Sequence, residues 1–218
     1  DAWPIVLDTQ DPDEIVRTII AIAPGWGGIN LEDIKAPECF EIERRLIEAL
    51  DIPVMHDDQH GTAMVVLAGL MNAAKVVKKP FKKLKVVISG AGAAGIAIAT
   101  LLKASGIEDL ILLDRGGAIH KGRKDLNASK QEIANLTNPR QVTGSIRDAL
   151  HGSDAFIGVS GPNLLTAEDI TCMAPSAIVF ALSNPVPEIM PDQAKKGGAM
   201  VIATGRSDFP NQVNNALV

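Results

Sequence analysis

Short apolar runs without polar alternation recur through the second half of the chain: KVVIS from Lys85, DLILLD from Asp109, DAFIG from Asp154, AIVFAL from Ala177 and AMVIAT from Ala199. Strands covered on both faces read this way, because neither set of alternate side chains meets water. Helically spaced segments separate them, IAIATLLKAS after the first strand and Lys130 to Leu136 after the second. Strand and helix in alternation predict right-handed crossovers and a parallel sheet.

The first half is patterned differently. Trp3 to Leu7 (WPIVL) reads as a short buried strand. Asp11 is placed to cap a helix that opens with Pro12 and repeats Ile15, Ile19 and Ile22 at helical spacing. Gly28 to Leu31 reads as a second strand, ending in Glu32 and Asp33. Pro37 to Leu50 is an amphipathic helix, and Ile52 to Met55 a third strand running into HDDQH. Thr62 then caps a long apolar helix, TAMVVLAGLMNAAKVV, which ends in the basic segment KKPFKKLK. That segment is the best internal boundary. It predicts an α/β chain in two parts: a smaller lobe over residues 1–78, including the linking helix, and a Rossmann-type parallel sheet over 79–218, with the site in the cleft between them.

Composition narrows the class without naming a chemistry. With 218 residues, 46% hydrophobic and 22% charged, and a net charge of -5, the chain suits a soluble globular protein. It carries no polybasic surface for nucleic acid. No apolar run approaches the roughly 20 residues that a membrane span requires, and DAWPIVLDTQ is not patterned as a signal peptide. Cys39 and Cys172 lie far apart and read as reduced core thiols, with a cytoplasmic location as the default.

The glycines of VVISGAGAAG carry the clearest chemistry. Gly90, Gly92 and Gly95, with Ala91, Ala93 and Ala94 between them, match G-x-G-x-x-G directly after a strand and at the start of a helix. Such a turn lets the backbone approach a pyrophosphate, which then lies at the helix N-terminus among unpaired N–H groups. A turn needed only for packing would look the same. The next strand, however, ends in Asp114, nineteen residues beyond Gly95, where a carboxylate can accept from an adenosine ribose. Asp114 favours NAD, whereas the neighbouring Arg115 could contact the 2′-phosphate of NADP.

Two acidic pairs, Glu32-Asp33 and Asp57-Asp58, each follow the end of a predicted strand. A parallel sheet would bring both to one carboxyl edge, where repulsion between the acids calls for a positive charge. Mg²⁺ or Mn²⁺ suits such oxygen ligands. His56 and His60, spaced as zinc ligands, give a rival reading, and solvated loop charges a third. Asn184, in ALSNPVPE, and Asn214 with Asn215 supply neutral amides that could hold a carboxylate or carboxamide, although Asn before Pro also simply starts turns.

Taken together, GGINLEDI, VMHDDQHGTA, VVISGAGAAG, DLILLDR, FIGVSGP, FALSNPVPEIMP and ATGRSDFPNQVNN resemble, in order, the blocks of the small bacterial-type malic enzymes. The resemblance runs essentially the whole length of the chain. It implies oxidative decarboxylation of (S)-malate to pyruvate and CO₂ with reduction of NAD or NADP. Glu32, Asp33 and Asp58 would bind Mg²⁺ or Mn²⁺, with Asp57 beside them in the catalytic site. Gly90 to Gly95, Asp114, Arg115, Val159, Ser160, Gly161 and Asn184 would bind the dinucleotide, and Asn184 and Asn215 would meet the small-molecule substrate. The resemblance also implies a homodimer or larger homo-oligomer.

The same family places a Tyr general acid and a Lys general base in a segment before the one that begins at Asp1, and this chain contains no Tyr. The chain therefore reads as a fragment that holds cofactor and metal but turns malate over poorly. The competing readings are a non-catalytic dinucleotide-binding module and a metal-independent hydroxy-acid or amino-acid dehydrogenase, for which the acidic pairs would be superfluous.

Overall fold

Asp11 begins the first helix as its sequence predicts, its side chain accepting the Asp13 N–H at 2.9 Å with Pro12 in the first turn of α1 (Pro12–Ile22). The chain continues through β1 (Ile29–Leu31), α2 (Glu38–Ala49) and β2 (Val54–His56). β1 and β2 pair in parallel, Leu31 opposite His56, so Glu32-Asp33 and Asp57-Asp58 both follow the same carboxyl edge. Ile15, Val16 and Ile19 of α1 pack with Leu31, Ile42 and Leu46 as one small core. Arg45 of α2 bridges to Asp13 at 2.8 Å across the two helices.

The computed structural model describes residues 1–218, which fall into two compact units, Asp1–Asp58 and Gln59–Val218. Apart from its first two residues, the long helix α3 (Asp57–Val76) belongs to the second unit. There follow β3 (Lys85–Ser89), α4 (Ala93–Ala104), β4 (Asp109–Asp114), β5 (Gly117–Ala118), α5 (Ala128–Leu136) and α6 (Ile146–Leu150). β6 (Ala155–Gly158), α7 (Ala167–Thr171), β7 (Ile178–Ala181), α8 (Pro191–Lys196) and β8 (Val201–Thr204) complete it. The sheet has six strands in the order β5-β4-β3-β6-β7-β8, all neighbours parallel except the short β5.

Both faces of this sheet are covered, which is why its strands lack polar alternation. Val86 and Ile88, Leu110 and Leu112, Ile157 and Phe180 face a core shared with α3 and α4. Val87, Ile111, Phe156 and Val179 face the opposite core, closed by α6, α7 and α8. Gly69 lets α3 lie close to the sheet: a Cβ there would stand 3.2 Å from the Phe180 ring.

Several sequence expectations change. The division falls between Asp58 and Gln59 rather than at 78/79, because Ala63, Val66, Leu70, Ala73 and Ala74 of α3 are part of the sheet's own core. α3 starts at Asp57, not after Thr62, so the HDDQH acids occupy a helical first turn, where a helix favours negative charge. Trp3 to Leu7 is not a strand. A strand needs a neighbour for its backbone groups, yet β1 and β2 pair only with each other and Val6 is 94% exposed. Of this segment, Leu7 packs against the small core. The hairpin strand β5 and the five- or six-residue helices α6, α7 and α8 leave no pattern in the sequence. Too few turns are present there for periodicity to register.

The two cysteines are free, and burial pushes the Cys39 thiol up to about 11, in keeping with inert core groups. No helix is long and apolar enough to cross a membrane. Phe180→Ala should lower the unfolding free energy by about 3–5 kcal/mol in urea denaturation, since a fully packed ring is lost between α3 and the sheet.

Candidate active site

The backbone after β3 turns where side chains do not fit. Gly90 takes φ +112°, and a Cβ there would stand 2.5 Å from the Val159 carbonyl oxygen. A Cβ on Gly95 would fall on the Gly90 carbonyl oxygen. Gly90 N–H donates to Leu113 O at 2.9 Å, and Val159 N–H donates to Ser89 O at 2.9 Å. The turn and the loop after β6 are thus locked side by side, with Ser89 and Ser160 hydroxyls 3.0 Å apart. Gly92 differs. It is the N-cap of α4, and nothing lies within 4 Å of where its Cβ would stand. That open space faces the first N–H groups of a twelve-residue helix, the position for an anion. Ala91, Ala93 and Ala94 border it without bulk.

Strand order reverses between β3 and β6, which is where an open parallel sheet holds its ligand. On one side lies Asp114, at the end of β4. Its carboxylate accepts from Arg123 at 2.7 Å, Lys130 at 2.5 Å and the Gly116 N–H at 2.9 Å. Burial pushes this carboxyl up, but the Arg123, Lys130 and Gly116 hydrogen bonds outweigh it and hold it below its ordinary value. Arg123 also pairs with Asp125 at 2.5 Å. Arg115 is exposed beside them. Arg123 and Lys130 were not singled out from sequence; nine and sixteen residues after Asp114, they show no pattern that a single chain reveals.

On the other side are the loops that follow β6 and β7. Val159 and Gly161 are partly buried and Ser160 is exposed. Asn184 is exposed, and Arg206 reaches its neighbour Pro185, donating to the carbonyl oxygen at 2.8 Å. Asn214 caps the last turn through Ala216 N–H at 3.0 Å and donates to Gly205 O at 3.3 Å, leaving its role structural. Asn215 is partly buried in the turn that follows.

In the first unit, Asp33 N–H donates to Asp58 Oδ2 at 3.0 Å, which joins the two acidic pairs as the strand register requires. Buried His56 places Nε2 3.8 Å from the same oxygen, while its backbone N–H donates to Glu43 at 3.1 Å. His60 is exposed. Glu32 and Asp33 are exposed, and Asp57 is partly buried. No three His, Cys, Asp or Glu side chains are gathered as a ready ion site.

Residues 59–218 match the family model "Malic enzyme, NAD binding domain", and residues 7–47 match "Malic enzyme, N-terminal domain". The chain belongs to the malic enzyme family. It is 57% identical to the NAD-dependent malic enzyme of Geobacillus stearothermophilus, covering 100% of this chain and 45% of that protein. It is 52% identical to the NADP-dependent malic enzyme of Halomonas elongata, covering 98% of this chain and 50% of that one. The crystal structure of the Thermotoga maritima NAD-dependent malic enzyme superimposes with TM-score 0.97 at 47% identity, covering 100% of this chain and 58% of that one. The chain therefore spans about half the length of the malic enzymes it matches. The NAD-binding family model begins at residue 59, the first residue of the second compact unit.

The acids fit a hard divalent ion in donor chemistry alone: all are carboxylates beyond one strand edge, and Asp33 meets Asp58 through its backbone N–H, not its side chain. Gly92→Ala should leave thermal unfolding almost unchanged, because its Cβ meets nothing, yet weaken NAD(P) binding by about tenfold, measured by titration calorimetry. Asp114 ion pairing contributes stability above the ordinary carboxylate range, and this is lost as pH falls through its lowered pKa. Asp114→Asn should accordingly flatten the acid limb of a stability-against-pH profile, read from urea midpoints.

Proposed function

We propose that this chain carries the dinucleotide and metal sites for oxidative decarboxylation of (S)-malate to pyruvate and CO₂, with NAD(P) as hydride acceptor. The observation that carries the reading is the glycine turn opening onto the N-terminus of α4, with Asp114 at the end of the adjoining strand. Membership of the malic enzyme family supports it.

Gly90 to Gly95 would seat the pyrophosphate, and Asp114 would accept from the adenosine ribose. Because Arg123 and Lys130 already balance the Asp114 charge and Arg115 is exposed beside it, both NAD and NADP are compatible with this end of the site. Val159 to Gly161 and Asn184 would border the nicotinamide, and Asn184 and Asn215 would hold substrate carboxylate without titrating. Glu32, Asp33 and Asp58 would hold Mg²⁺ or Mn²⁺, with Asp57 alongside and His56 orienting Asp58. When bound, the divalent ion supplies the positive charge that offsets the oxygen left negative as CO₂ departs. The chain contains no Tyr, so the Tyr acid and its Lys partner would come from outside these 218 residues. The whole protein would act as a cytoplasmic homodimer or larger homo-oligomer.

Calorimetry with (S)-malate and NAD(P), with and without Mn²⁺, tests this. Malate binding should require Mn²⁺, and Asp58→Asn should weaken it by roughly tenfold or more while NAD(P) affinity persists. Malate binding indifferent to both Mn²⁺ and Asp58 would leave only a dinucleotide-holding unit.

A further inference from the structure

Glu188 is a fully buried carboxylate, 0% exposed, that the reaction described above does not use. It ends the run SNPVPE, yet points back beneath the two loops that follow β6 and β7. Its Oε1 accepts the Ser160 N–H at 2.9 Å and its Oε2 accepts the Ser183 N–H at 3.1 Å. Each oxygen thus accepts a backbone N–H, an arrangement that favours the charged form against its burial. Burial pushes the carboxyl up, and N–H groups of Ser160, Ser183, Glu188 itself and Gly161 pull against that rise. Space for the group is reserved: a Cβ on Gly158 would collide with the Glu188 carboxyl carbon.

Holding the loops together does not by itself call for a buried charge. The backbone already ties them: Asn163 N–H donates to Pro187 O at 3.1 Å, and Leu164 and Leu165 donate to Glu188 O at 2.7 and 3.0 Å. A buried carboxylate is costly in a fold, so its charge asks for a use. Its place suggests one. On the dinucleotide reading, an adenosine half on the β4 side of the strand-order reversal would put the nicotinamide half over β6 and β7, whose loops Glu188 underpins. Oxidised nicotinamide carries a positive charge, and the reduced ring none.

We infer that the buried charge of Glu188 biases the dinucleotide site toward the oxidised, cationic nicotinamide, an inference that rests on the dinucleotide reading of the same site. Glu188 acts through space and through the Ser160 and Ser183 loops, without touching the reacting atoms. For a separation of about 10 Å and an effective dielectric constant near 20, the bias is about ten- to twentyfold in relative affinity.

The test is the ratio of dissociation constants, reduced over oxidised, for NADH with NAD⁺ and for NADPH with NADP⁺, measured by calorimetry on the 218-residue protein. Glu188→Gln should lower this ratio about ten- to twentyfold. Glu188→Asp, which keeps the charge but withdraws it by one methylene, should fall between. A structural staple would weaken both forms together, so an unmoved ratio in the folded Gln variant overturns the inference. Should circular dichroism show the Gln variant unfolded, the Asp variant decides, and a ratio equal to that of the unaltered protein overturns it. If the unaltered protein binds neither form, the dinucleotide reading falls and this inference with it. Binding of both forms with the ratio unmoved removes the Glu188 bias alone.

Discussion

Three stretches of backbone meet at the end of β3 in a space that admits no side chains. Gly90 lies against the Val159 carbonyl, and Gly95 lies against the Gly90 carbonyl. This contact sets the height at which α4 starts and the distance between the β3 and β6 loops. The open position at Gly92 follows from it, because only a turn this tight leaves the helix N-terminus uncovered above the sheet. The order β4-β3-β6 matters equally, since reversal at β3 is what parts the loops on either side.

Charge is handled differently at each edge. Asp114 is compensated by two cations, Arg123 and Lys130, so its carboxylate stays ionised despite burial. Glu188 is buried more deeply and rests on backbone N–H groups, which stabilise its charge less completely. Asp58 is tied to the other acidic pair by a backbone N–H, not by a cation. These acids of the β1–β2 edge are the ones proposed to hold a divalent ion.

Much of this was legible in the residues. KVVIS and DLILLD match β3 and β4 to the residue, because uninterrupted apolar runs leave a two-sided strand as the simplest solution. Asp11 and Pro12 marked the start of α1 through backbone chemistry confined to a single turn. The glycine turn and Asp114 were readable for the same reason: their spacing lies within one strand–helix–strand unit. WPIVL has the composition of a strand but no pairing partner, and DDQH has the composition of a loop although it forms the first turn of α3.

The sheet, its glycine turn and the carboxylates at the strand ends are written in the order of the residues, since each depends on neighbours within one or two elements. Which groups answer those carboxylates depends on the packed fold. Lys130 and Arg123 reach Asp114, Glu188 reaches under Ser160, and Asp33 meets Asp58 across 25 residues, through contacts that no local period encodes. Side-chain charge in a low-dielectric edge is settled by whichever partner the packing delivers, and packing is a property of the whole sheet with its helices, not of any stretch of it.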